Sequence, residues 1–125
     1  MSDKKYKVLL VEDEPMIVEM YKLRLEEDGY EVLTTDKGSE ALAMAKEQKP
    51  DAILLDVMLP EIDGFTILQG LKDQSATKKI PVLMLTNLGQ ESDQLKGEQL
   101  GAEGYFIKSQ HTPAEVLNEI KRILK

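Results

Sequence analysis

The chain has 125 residues, 42% hydrophobic and 31% charged, and its 23 acidic residues outnumber 16 Lys and Arg to leave a formal charge of −7. This length suits one domain with a core of its own. With no cysteine present, disulfides, iron–sulfur clusters, thiolate zinc sites and cysteine nucleophiles are excluded, and the acid excess disfavours nucleic acid as a direct partner, because phosphate backbones reward Lys and Arg.

In chain order the apolar runs alternate with helical patterns. Val8–Val11 reads as a first strand, followed by a helix over 15–27 that carries Met16, Met20 and Leu23 and stops at Asp28-Gly29. A less apolar run, Glu31–Thr34, reads as an edge strand. Ala41, Leu42 and Ala45 then mark a second helix, ended by Pro50. Ala52–Leu55 is the third strand, and Phe65, Leu68 and Leu71 follow Asp63 as a third helix with its N-cap. The polar stretch Asp73–Lys79 has no evident role. Ile80–Leu85 is the fourth strand, and 88–100 a weakly held helix whose main apolar residues are Leu95 and Leu100, with Gly97 inside. Tyr105–Ile107 is the fifth strand. Thr112-Pro113-Ala114-Glu115 forms a capping box with Pro at the first helical position, ahead of Val116, Leu117, Ile120, Ile123 and Leu124 at helical spacing. Three of the strands are apolar on consecutive residues, which suits strands covered on both faces of a parallel sheet. The fold class is therefore α/β, a doubly wound (βα)5 sandwich. No apolar run approaches the roughly 18–20 residues that span a bilayer, and Met1–Tyr6 has basic residues without an apolar core after them, so it is no signal peptide. A cytoplasmic protein without membrane insertion is expected.

In such a sheet the ligand crevice lies beyond the carboxyl ends of the strands. Glu12, Asp13 and Glu14 follow the first run, Asp56 the third, Thr86 the fourth and Lys108 the fifth. Singly each has a plain structural reading: Asp13 before Glu14-Pro15 is a helix N-cap, Thr86 a strand-end residue, Lys108 a solvated lysine. Together they converge on one end of the sheet. Crowded carboxylates need neutralising, and oxygen donors without His or Cys select Mg²⁺, which commonly bridges to phosphate. Asp56 would share the metal and act as a nucleophile toward phosphorus, giving an acyl phosphate. Lys108 and the Thr86 hydroxyl would help hold the phosphoryl oxygens.

At this point Val8-Leu-Leu-Val-Glu-Asp-Glu-Pro15, Asp56-Val-Met-Leu-Pro-Glu-Ile-Asp-Gly64, Leu85-Thr86 and Gly101-Ala-Glu-Gly-Tyr-Phe-Ile-Lys108 resemble the receiver domain of two-component response regulators. The resemblance covers 7–124. It implies a flavodoxin-like (CheY-like) parallel five-stranded sheet of order 2-1-3-4-5. Asp56 would be the phosphoacceptor from a histidine kinase or histidine phosphotransfer protein. Glu12, Asp13, Asp56 and the backbone carbonyl of Met58 would hold Mg²⁺, Thr86 and Lys108 would contact the phosphoryl group, and Tyr105 would be an aromatic switch acting with Thr86. The output would be a change of the face formed by helix four, strand five and helix five, read by a downstream protein or by a phosphorylation-dependent dimer. The chain is expected to be a single receiver over 1–125 without an output domain, a phosphorelay component and not an enzyme beyond Mg²⁺-dependent self-phosphorylation and slow autodephosphorylation.

Pro60 and Gly64 would shape the loop after Asp56, with Gly64 relieving backbone strain. His111 is expected to be solvent-exposed, and Met16, Met20, Met44, Met58 and Met84 mostly core or near-core fillers. Three features depart from the family pattern or occupy its variable points. Ser109 follows Lys108 where the family usually has a cis Pro, so a trans bond and a displaced lysine are expected. Asn87 stands beside Thr86 where a small residue is usual. Met58 and Leu88, which flank the site, cannot orient an attacking water, so dephosphorylation should be slow. A nucleotide or flavin binder would need a phosphate-cradling loop in place of Glu12-Asp13-Glu14-Pro15. A haloacid-dehalogenase-type phosphatase would need an acid at position 58. A pseudo-receiver acting only as a protein-binding module is the remaining alternative.

Overall fold

Strands apolar on every residue stay dry only when both faces of their sheet are covered, and five helices provide that cover. The computed structural model describes residues 5–124, as β1 (Lys7–Val11), α1 (Pro15–Glu27), β2 (Glu31–Thr35), α2 (Gly38–Gln48), β3 (Ala52–Leu55), α3 (Gly64–Asp73), β4 (Val82–Thr86), α4 (Glu91–Gln99), β5 (Gly104–Ile107) and α5 (Pro113–Leu124). The strands form one parallel sheet of order β2-β1-β3-β4-β5. The less apolar β2 is indeed at an edge.

Alternate residues of each strand feed two cores. Leu9, Val11, Ile53, Leu55, Val82 and Met84 pack with the buried faces of α2 and α3. Val8, Leu10, Leu54, Leu83 and Leu85 pack with Tyr21 and Leu25 of α1 and with Val116, Leu117 and Ile120 of α5. Both caps read from the sequence are made. The Asp63 side chain accepts from Thr66 N at 3.0 Å, and Thr112 and Glu115 exchange bonds of 2.8 and 3.2 Å across the first turn of α5.

Several expectations need correction. Asp13 does not cap α1: Glu14 occupies the cap position, with no side-chain cap bond, and Pro15 opens the helix. Strand β4 begins at Val82, because Ile80 N is spent on a turn to Thr77 O and Pro81 has no N–H to give a ladder. The 73–79 stretch has a structural task, since the fully buried Thr77 hydroxyl donates to Leu71 O at 2.6 Å and closes α3. Met16 and Met58 are 83% and 58% exposed and are not core fillers. Leu95 is also exposed, so α4 buries only Gly97 within its own span. His111 is half-buried: its Nδ1 lies 2.9 Å from Ile107 N and its ring stands edge-on to Phe106.

Candidate functional site

Parallel strands in register deliver their last residues to one edge, and here the ladder runs on past the strands. Glu12 N donates to Thr35 O at 3.0 Å, Asp56 N to Val11 O at 3.0 Å and Lys108 N to Thr86 O at 2.8 Å. Glu12, Asp56 and Lys108 are thus pinned by their backbones to the neighbouring strands. Glu12, Asp56 and Thr86 are buried, at 1%, 3% and 0% exposure, whereas Asp13 is exposed.

Lys108 reaches across the mouth of the sheet. Its Nζ lies 2.8 Å from Glu12 Oε1, 3.1 Å from Asp56 Oδ2 and 3.2 Å from Glu14 Oε1. The described residues contain no cis peptide bond, so the 108–109 bond is trans as expected. The lysine nonetheless reaches Asp56, and the anticipated displacement does not occur. The loop after β5 turns back instead through Gln110 N and His111 N, both donating to Ile107 O at 2.9 Å.

Both Asp56 oxygens are engaged, Oδ2 by Lys108 and Oδ1 by Met58 N at 3.1 Å. Glu12 Oε2 accepts from Glu14 N at 3.1 Å. Glu12 Oε1, though in ion-pair range of Lys108, is misaligned for a hydrogen bond and has no other partner. Burial pushes the Glu12 carboxyl above its ordinary range; the charge of Asp56 adds to this, against the opposing pull of Lys108 and of the Glu14 amide. Burial alone would lower the Lys108 ammonium, but the pairing with Glu12 and the charge of Asp56 outweigh it and hold the pKa above the ordinary lysine value. The lysine is therefore a fixed positive charge.

Carboxylate oxygens of Glu12, Asp13 and Asp56 lie within 4.8 Å of one another, a spacing at which a single cation can touch all three. The oxygen-only donor set is that of a hard divalent ion. The buried Glu12 Oε1 is ion-paired with Lys108 but accepts no hydrogen bond, which leaves it able to ligate.

Thr86 and Tyr105 belong to adjacent strands on the side away from Glu12. The Thr86 hydroxyl accepts from Leu88 N at 3.3 Å, and the Tyr105 hydroxyl donates to Leu88 O at 2.9 Å. Both side chains thereby hold one residue, at the start of the 87–90 loop. Burial, with the charges of Asp93 and Asp56, pushes the Tyr105 phenol up to about 12.

Gly64 is needed for a different reason from the one expected. Its φ is not positive. A Cβ there would instead lie 2.2 Å from Asp56 O and 2.7 Å from Val57 Cα, and Gly64 N donates to Val57 O at 2.7 Å. Close approach, not strain, demands glycine. Glu14 was missed as a partner of Lys108; its place directly after Glu12-Asp13 was the available signal.

The family described as response regulator receiver domain matches residues 8–121. The chain is 43% identical over 119 residues to the alkaline phosphatase synthesis transcriptional regulatory protein PhoP of Bacillus subtilis, covering 95% of this chain and 48% of that protein. It is similar in structure to the chemotaxis response regulator CheY4 of Vibrio cholerae, with a TM-score of 0.88 and 36% identity over 97% of this chain and 100% of that one. The receiver domain of sensor histidine kinase PA1611 from Pseudomonas aeruginosa superposes with a TM-score of 0.86 at 29% identity, over 97% and 98% of the two chains; that structure holds a magnesium ion in its active-site cleft. The chain spans about half the length of the curated relatives it matches.

Proposed function

The chain belongs to the response regulator receiver family, and from that premise we propose that Asp56 is its phosphoacceptor, charged by the phosphohistidine of a sensor kinase or phosphotransfer protein in a Mg²⁺-dependent step. The observation that carries this reading is the buried Asp56 carboxylate held 3.1 Å from the Lys108 ammonium and grouped with Glu12 and Asp13. The oxygen-only donor set, with a buried Glu12 Oε1 that accepts no hydrogen bond, fits a magnesium ion. Glu12, Asp13, Asp56 and the Met58 carbonyl would hold it, and when bound it supplies positive charge against the carboxylates and the phosphoryl oxygens.

The residues of the chain supply the rest. Met58 N and Lys108 Nζ orient the two Asp56 oxygens. Attack by one oxygen forms an O–P bond while the P–N bond of the phosphohistidine breaks, the imidazole keeping the electron pair. Lys108 stabilises charge as it spreads over the phosphoryl oxygens. The Thr86 hydroxyl, now an acceptor for Leu88 N, would turn to donate to the same group. Leu88 would then lose one of its two tethers, and Tyr105 the fixed partner of its hydroxyl. The α4–β5–α5 face would change by a shift of population. That face is the proposed surface for a downstream protein or a phosphorylation-dependent dimer.

The receiver is a regulator and not a classical enzyme. Met58 and Leu88 offer no group to orient water, so we expect the acyl phosphate to decay slowly. A cytoplasmic location is part of the proposal; none of the described helices is long and apolar enough to cross a membrane.

Intact mass after incubation with Mg²⁺ and acetyl phosphate tests the reading, with Asp56→Ala in parallel. The expected result is one added phosphoryl group that requires Mg²⁺ and is absent from the variant. No gain, together with no Mg²⁺ binding by titration calorimetry, would leave a binding-only module.

A further inference from the structure

Of Glu12, Asp13, Glu14 and Asp56, three are grouped around one cation position and Glu14 stands outside that group. Its carboxylate pairs with the lysine. Glu14 Oε1 lies 3.2 Å from Lys108 Nζ, nearly the 3.1 Å separation that Asp56 keeps. The two acids therefore share one ammonium, and the Glu14 charge stands within two ion-pair lengths of the reacting oxygen. Asp56 is buried, whereas the Glu14 side chain is 54% exposed, so Glu14 is the solvent-facing partner of the ammonium that also serves Asp56. Its backbone is fixed by the bond from Glu14 N to Glu12 Oε2 at 3.1 Å and by Pro15 behind it, so the side chain starts from a defined point.

The charges do not cancel. Glu12, Glu14 and Asp56 share the single ammonium of Lys108, and Asp13, Asp36 and Glu40 line the same end of the sheet, so acids stay in excess even beside a divalent cation. Within that excess, Glu14 is the exposed acid paired with Lys108. We infer that Glu14 is a specificity-determining residue of the phosphorylation step: its carboxylate repels small dianionic phosphodonors and holds part of Lys108's charge away from Asp56, favouring donors that carry positive charge of their own. A phosphohistidine on a protein surface with basic residues fits that requirement, and a free acyl phosphate meets it less well.

This inference rests on the phosphoacceptor reading of Asp56. With acetyl phosphate, Asp56 oxygen forms the O–P bond as the P–O bond to acetate breaks, acetate leaving with the electron pair. With phosphoramidate, whose nitrogen already carries the proton it needs, the P–N bond breaks and ammonia leaves. At neutral pH the first donor is a dianion and the second a zwitterion with a single net negative charge. The two therefore report charge discrimination on the same acceptor.

The test compares initial phosphorylation rates by intact mass, for the unaltered chain, Glu14→Gln and Glu14→Asp, with each donor and Mg²⁺, at low and high salt. Glu14→Gln should speed transfer from acetyl phosphate by roughly three- to tenfold at low salt, the scale of one unit charge several ångströms from a dianion at the dielectric of bulk water. Phosphoramidate should gain clearly less, added salt should shrink the difference, and Glu14→Asp, which keeps the charge, should stay near the parent. An unchanged ratio of the two donor rates, or an equal slowing with both, would overturn the inference and leave Glu14 a mere support for Lys108. No phosphoryl gain by any of the three proteins from either donor would instead overturn the reading of Asp56 beneath it.

Discussion

Helices α4 and α5 flank the β4–β5 side of the same sheet, one on each face, and are held there in opposite ways. Helix α5 buries Val116, Leu117 and Ile120 and begins with a closed capping box. Helix α4 has no side-chain cap and buries only Gly97. Its contact is a backbone one: a Cβ on Gly97 would lie 3.1 Å from Tyr105 Cδ2 and 3.7 Å from Met84 Cγ. Each fully buried aliphatic side chain stabilises its helix by about 1.5–3 kcal/mol, so α5 is fixed by several such terms where α4 has none. The difference locates the soft part of the molecule. The helix next to Thr86, Leu88 and Tyr105 is the one that can shift at small cost, while the helix beyond Lys108 stays put and keeps the lysine aimed.

The largest test of that contrast is truncation on each helix. Ile120→Ala should lose about 2–5 kcal/mol of unfolding free energy in urea, whereas Leu95→Ala, at an exposed position, should stay within about 0.5 kcal/mol. Equal losses would break the comparison. The caps sharpen it at a smaller scale. Thr112→Ala removes the bonds it shares with Glu115 and should cost about 1 kcal/mol, while Gln90→Ala at the start of α4 should be silent by the same measurement, because no side-chain bond is lost.

Smallest is the effect on two tyrosines from opposite cores. Tyr105 packs on the α4 side and Tyr21 on the α5 side. Burial is the main cause pushing each phenol up to about 12, whereas an unfolded tyrosine titrates near 10. Because the folded values are the higher ones, the associated stability is fully present below pH ~10 and is lost as pH rises toward ~12. Ultraviolet titration should show late tyrosinates from Tyr21 and Tyr105, with Tyr30 also raised by burial, and Tyr105→Phe should remove one late component. The same substitution deletes the bond to Leu88 O and should cost about 1 kcal/mol or less. Amide exchange should rise in α4 and not in α5.

Much of the site was legible because its residues are reporters of topology. An acid, a hydroxyl or an ammonium directly after a fully apolar run marks the carboxyl end of a buried parallel strand, and Glu12, Asp13, Asp56, Thr86 and Lys108 all stand at such positions. The lysine in particular was expected to move for want of a proline after it, yet three carboxylates and its own bond to Thr86 O hold it in reach of Asp56. Ion pairing over long sequence separations outweighed a local backbone preference that adjacent residues alone suggested.

The sequence by itself determined the parallel α/β order, the edge position of β2, both side-chain caps and the strand ends where the polar residues gather, because each depends on local periodicity or on the residue next to a run. Tertiary structure alone decided where single side chains point. It turned Met16, Met58 and Leu95 outward, drew His111 in against Phe106, and required glycine at 64 through approach to the Asp56 carbonyl. It also gave Lys108 a third acid in Glu14. These outcomes hinge on which distant segments meet at a given face, and that is set by how helices of different apolar width settle on the sheet, a property no stretch of neighbouring residues carries.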